Sequence, residues 1–108
     1  MYVANYYGGT ANEGSILIYN APLTTGETPQ TTITVNYYPQ GIVLDSAGNI
    51  YVSTYYGGTA DEGSLQEFQP PFTSSSTPAV TISNNIYYPY GPGLAITKGT
   101  GFFLTLNQ

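Results

Sequence analysis

The chain has no cysteine, no histidine and no tryptophan, and its one cation, Lys98, stands against six acids for a net charge of −5. Each absence removes a mechanism. Without His or Cys there is no zinc site of the usual nitrogen and sulfur ligands, no Cys nucleophile, no Ser-His or Cys-His pair and no disulfide frame. The chemistry left is that of carboxylates, hydroxyls, phenols and amides. A phosphate backbone is neutralised by clustered Lys and Arg that release its counterions, so no nucleic acid and no membrane surface is expected as a partner. No apolar run approaches the roughly 18 residues of a spanning helix, and no secretory leader follows Met1.

Charged residues make up 6% of the chain, against about 25% in an average soluble domain. Solubility therefore rests on Thr, Ser, Gly, Asn and the hydroxyls of 12 tyrosines. What stands in place of charge is a repeat. Residues 2–15, YVANYYGGTANEGS, return as residues 51–64, YVSTYYGGTADEGS, at an offset of 49. The offset holds to Ile33 and Ile82. It drifts to 50 at Tyr37-Tyr38-Pro39 and Tyr87-Tyr88-Pro89 and to 52 where 50–52 map onto 102–104, which places a short insertion at Tyr90-Gly91-Pro92. Short β-branched or alternating apolar runs bounded by Gly, Pro and Asn are strand signals. They fall at 2–5, 15–20, 31–36, 41–45, 50–55, 64–69, 79–83, 93–97 and 102–106. No segment carries a capped 3.6-residue apolar period, so no helix is expected.

Four short antiparallel strands in a repeat of 40 to 50 residues is the pattern of a β-propeller blade. A two-sheet sandwich has similar strand spacing but gives no reason for a near-verbatim repeat. The expected fold is all-β, a β-propeller fragment of about two four-stranded antiparallel blades. With strands lettered a to d outward from the axis, 1–36 supplies b-c-d of blade one, 40–84 the whole of blade two, and 91–108 strands a-b of a further blade. Residues 2–5 then read as mid-blade, and the chain is expected to be a truncated or excised segment. Residues 41–53, GIVLDSAGNIYVS, resemble a blade of the NHL-repeat type, with an inner strand ending in Asp45, a Gly48-Asn49 turn and Tyr51-Val52 in the second strand. The resemblance spans essentially the whole chain through partial copies, and it implies a fold rather than an activity. It also implies a structural Asp45 whose carboxylate accepts backbone N–H bonds. The third copy departs, carrying Thr97-Lys98-Gly99-Thr100-Gly101 where 45–49 stood.

A blade buries both faces against its neighbours, and at least three repeats are normally needed. Two repeats must therefore belong to a longer propeller or join copies of the same chain, the a-b strands of one completing the b-c-d sheet of the next. Three or four copies, a trimer or tetramer, give about six or eight blades. One b strand is in excess, 2–5 or 102–106. With so few charges, an open edge makes growth into a filament the competing outcome.

In a propeller the b-c and d-a connections share one end. That end collects Tyr6, Tyr7, Tyr55 and Tyr56 from the b-c loops, Tyr37, Tyr38, Tyr87, Tyr88 and Tyr90 from the d-a loops, and the acids Glu13, Asp61 and Glu62. Phenol rings beside carboxylates suit sugars, whose C–H faces stack on the ring while hydroxyls bond the polar groups; Tyr equally suits protein recognition. Against this, strand residues alternate faces, so one Tyr of each pair can be core and the other plain loop cover. The Gly-Gly turns require no function beyond positive φ. Ca²⁺ takes six to eight oxygens, and one or two carboxylates per loop fall short, so no metal and no cofactor is expected. Glu27 and Glu67 read as solvated, and no phosphate-cradling glycine motif is present. No catalytic residue is assigned, since similar-looking lactonase and hydrolase propellers lean on His or a multidentate metal, and 41–45 with 93–97 hold one acid. The expected protein is a non-catalytic module that oligomerises and presents its Tyr-rich face to a glycan or protein, in an extracellular or cell-surface setting. The alternatives are a structural filament or scaffold subunit with no small ligand and, behind it, a lactonase- or hydrolase-like propeller fragment.

Overall fold

A computed structural model describes residues 1–7, 13–56, 63–83 and 86, together with the backbone of 94–97 and 101–104. The described residues form β1 (Tyr2–Asn5), β2 (Glu13–Ile18), β3 (Thr31–Asn36), β4 (Pro39–Leu44), β5 (Ile50–Thr54), β6 (Ser64–Phe68), β7 (Val80–Ile82), β8 (Leu94–Thr97) and β9 (Gly101–Leu104), with no helix among them. Neighbours in sequence pair antiparallel. They make a three-stranded sheet β1-β2-β3, a four-stranded sheet β4-β5-β6-β7 and a two-stranded pair β8-β9. The fold is all-β, its described strands divided among antiparallel sheets of three, four and two.

The repeat is also kept in the hydrogen-bond register. Tyr2 faces Ile18 and Asn5 faces Ser15 across β1 and β2, and 49 residues on Tyr51 faces Glu67 and Thr54 faces Ser64 across β5 and β6. Ile16 opposite Ile33 recurs as Leu65 opposite Ile82. Two strand starts differ from expectation by two residues, while those of β7, β8 and β9 differ by one. β2 opens at Glu13 rather than at 15, because Glu13 pairs with Asn36, so this acid belongs to a strand and not to a loop. β4 opens at Pro39 rather than at 41. A proline is tolerated as the first residue of a strand, where no ladder donor is needed, and the register shifts between Pro39 and Gly41.

Alternation decides the core. In β3 the side chains of Ile33 and Val35 are buried while Thr32, Thr34 and Asn36 are exposed, as a strand with one covered face requires. Ile16, Ile18, Ile33 and Val35 of the first sheet meet Ile50, Val52 and Phe68 of the second, with Tyr2, Ile42 and Phe72 packed at the margin. Full burial of each large apolar side chain is worth about 1.5–3 kcal/mol, so this face-to-face contact is what holds the two sheets together. The Phe72 ring stands edge-on to Tyr2 at 6.3 Å. On its opposite face the second sheet packs Leu65, Ile86, Val43 and Tyr51, and β8 lies against β4 and β5. The polar groups caught between sheets are satisfied. Thr54 Oγ1 and Ser64 Oγ share a hydrogen bond, Gln66 Nε2 donates to Ser64 Oγ at 3.2 Å, and Gly41 N donates to Ser53 Oγ at 3.1 Å.

Asp45 organises the turn between β4 and β5. Its Oδ1 accepts from the backbone N–H groups of Ala47 (3.0 Å) and Asn49 (2.9 Å), and its Oδ2 accepts from Asn49 Nδ2 and Tyr51 Oη, each at 2.9 Å. Gly48 supplies the positive φ, 88°, that lets the chain reverse. The Asn49 side-chain bond foremost, then the backbone and Tyr51 bonds, hold the Asp45 carboxyl below its ordinary value of 3.8, while burial and the Asp45 bond push the Tyr51 phenol above 10.0. A depressed carboxyl stabilises the fold above its unfolded value and ceases to as pH falls through the folded one. The melting-temperature gap between wild type and Asp45→Asn is therefore expected to be open at neutral pH and to close as the pH drops below 3.8.

Candidate functional site

β1 and β5 end, β2 and β6 begin, and the connection from β3 to β4 passes, all at one end of the stacked sheets. Tyrosines fill that end. Tyr6 and Tyr7 follow β1, Tyr37 and Tyr38 join the two sheets, and Tyr55 and Tyr56 follow β5.

The linking pair is held in an unusual backbone. Tyr37 and Tyr38 have φ of 71° and 59°, a left-handed conformation that costs a residue with a side chain about 1–3 kcal/mol. Two hydrogen bonds hold it, since Tyr55 N donates to the Tyr38 carbonyl at 3.0 Å and Tyr56 N to the Tyr37 carbonyl at 3.2 Å. The same turn therefore fixes where the rings after β5 stand.

Five of the rings form one continuous array. Tyr38 lies parallel to Tyr6 at 4.6 Å between centroids, with 8° between planes, and Tyr7 stands edge-on to both, 4.8 Å from Tyr6 and 5.6 Å from Tyr38. Tyr56 approaches Tyr38 at 5.7 Å, and Tyr55 meets Tyr56 edge-on at 4.9 Å. Apart from the tilted Tyr38–Tyr56 contact, these are the stacked and T-shaped geometries that aromatic pairs adopt, each worth about 0.5–1.5 kcal/mol beyond area burial. Tyr6, Tyr7 and Tyr56 are exposed, while Tyr38 and Tyr55 are half-buried beneath them. The array spans both sheets, so its shape depends on their packing.

The structure separates Tyr37 from its neighbour. Consecutive left-handed residues turn the chain sharply, and Tyr37 lines a polar hollow of about 390 Å³ with Thr34, Asn36, Gln66, Ser75 and Thr77. Sequence reasoning missed that hollow, whose residues come from β3, β6 and the β6–β7 connection; the Ser and Thr run at 73–77 was its only signal. Glu13 begins β2 opposite Asn36, at the same end as the rings. Asp61, Glu62, Tyr87, Tyr88 and Tyr90 lie outside the described residues. Glu27, read as solvated, is half-buried and accepts a hydrogen bond from Thr24 N at 2.6 Å through Oε1, closing the β2–β3 connection. Among the described residues no group of three or more acids gathers where a cation would sit. No family model, curated protein or solved structure matches this chain.

Proposed function

We propose that the chain is a non-catalytic module of β-propeller type that joins copies of itself and presents the tyrosine array as a binding platform for sugars. The observation that carries this reading is the array itself: five rings in mutual contact on one end, organised by two residues in a costly left-handed backbone. Tyr offers a large, rigid, amphipathic surface with little side-chain entropy to lose, and the parallel Tyr6–Tyr38 pair provides a flat apolar seat next to phenol hydroxyls. The propeller part of the reading draws on the 49-residue repeat, its preserved register and the face-to-face stacking of successive sheets. An extracellular or surface setting follows from the near absence of charge and the hydroxyl-rich surface.

Titration of the chain with a panel of soluble oligosaccharides, followed by tyrosine fluorescence, is the direct test. Saturable binding is expected, and Tyr38→Asn, which keeps a residue tolerant of left-handed φ, is expected to weaken it about tenfold with an unchanged β-sheet circular dichroism spectrum. Absence of binding across the panel removes the sugar reading. A purely structural scaffold draws on the exposed Val80 and Ile82 of β7, and it expects no saturable ligand.

A further inference from the structure

We propose that the outer face of the first sheet, centred on Met1, Val3, Tyr19 and Leu23, is the seat for the four-stranded sheet of a second copy of this chain. This rests on the reading of the chain as a self-joining module, and it names the surfaces that join.

The offset of 49 gives each position of the first sheet a counterpart in the second, and the shared register shows that the counterparts occupy equivalent places. Met1, Val3, Tyr19 and Leu23 correspond to Ile50, Val52, Phe68 and Phe72. In the second sheet those residues are the inter-sheet core: Ile50, Val52 and Phe68 are fully buried and Phe72 packs against Tyr2. In the first sheet the same positions keep their apolar character, but among the described residues no sheet packs over them, and Val3 and Tyr19 are only half-buried. Met1 and Leu23 are 60% and 53% exposed, and with Val3, Tyr19, Thr24 and Glu27 they line a hollow of about 300 Å³. Even the polar pair within the interface recurs, since the Thr54–Ser64 hydrogen bond has its counterpart in Asn5 Nδ2 donating to Ser15 Oγ at 3.4 Å. The first sheet thus repeats, on its own strands, the part of the internal interface that β5, β6 and Phe72 supply in the second.

The other half is duplicated on the far side of the second sheet. Tyr2, Ile16 and Ile33, which receive the second sheet, correspond to Tyr51, Leu65 and Ile82. Ile33 is fully buried, whereas Ile82 is 46% exposed and Val80 beside it on the same face 43%. The contact formed once inside the chain therefore has an open donor face at one side of the molecule and, at the other, an acceptor face that Ile86 and β8 cover only in part, leaving Val80 and Ile82 exposed. Such a head-to-tail contact, unlike a two-fold one, propagates until it closes. In this arrangement β8 of one copy falls beside β1 of the next, which takes the place held by β9 in the single chain. The register supports the exchange, because Ala95 opposite Phe103 repeats Val43 opposite Tyr51.

The two faces are tested separately with Leu23→Glu and Ile82→Glu, both at positions about half exposed in the single chain, so that neither opens the core. Sedimentation velocity at micromolar concentration is expected to show wild type as an assembly and each variant at the single-chain mass of 11.5 kDa. An equimolar mixture of the two variants retains one intact face of each kind, so it is expected to stop at twice that mass. Should either variant lose its β-sheet circular dichroism spectrum, Leu23→Thr and Ile82→Thr take their place. Variants that assemble as wild type does, or a mixture that stays at single-chain mass, overturn the assignment of these faces and leave the module reading standing. Wild type at single-chain mass overturns both, while the sugar titration remains a separate readout of the tyrosine platform.

Discussion

Gly14→Ala is expected to destabilise the chain by about 3 kcal/mol or more, and to disperse the tyrosine array as it does so. A Cβ at this position would stand 2.2 Å from the Asn5 carbonyl oxygen, 2.4 Å from Pro39 Cδ and 2.6 Å from the Tyr6 carbonyl oxygen. None of the three can rotate away, since two are backbone and the third belongs to a buried proline ring. The strand or the proline must move. Pro39 directly follows Tyr37 and Tyr38, whose carbonyls receive the N–H groups of Tyr56 and Tyr55, so a displaced Pro39 carries the ring platform with it. Gly26→Ala is the matched comparison. Its φ of +83° has the strain of a left-handed residue but no heavy atom lies within 4 Å, so a loss of only about 1–2 kcal/mol is expected. Urea unfolding followed by circular dichroism measures both, and a Gly14→Ala protein as stable as Gly26→Ala contradicts the close approach of the two sheets.

The strands were readable because each is short, alternating and closed by Gly, Pro or Asn; Thr31 to Asn36 shows the pattern at its plainest, with Ile33 and Val35 inward and Thr and Asn outward. The like register of the two copies is what a near-verbatim repeat imposes. Three features were not readable. Glu13 looks like a loop acid between Asn12 and Gly14, and only its pairing with Asn36 makes it a strand residue. Tyr37 and Tyr38 look interchangeable, yet two left-handed backbones in succession send one to the ring array and the other to the polar hollow. No glycine marks that turn. The third is the difference between Val3 and Val52, which sit in the same local sequence but are half-buried and fully buried. Burial there is set by which sheet lies opposite, and local sequence carries no record of it.

That difference points to the second large effect expected of this chain, its mass in solution. Among the described residues one chain holds a four-stranded sheet, a three-stranded sheet and a two-stranded pair. The exposed apolar residues Met1, Leu23, Val80 and Ile82 lie on the two faces equivalent to those joined in the core. On the proposed propeller reading, each added copy extends a ring by two blades, so closure at about six or eight blades takes three or four chains. Native mass spectrometry of the unmodified protein at micromolar concentration decides the matter. The expected spectrum is dominated by one species at three or four times 11.5 kDa; a spectrum holding only the single chain contradicts a module that completes its blades with copies of itself.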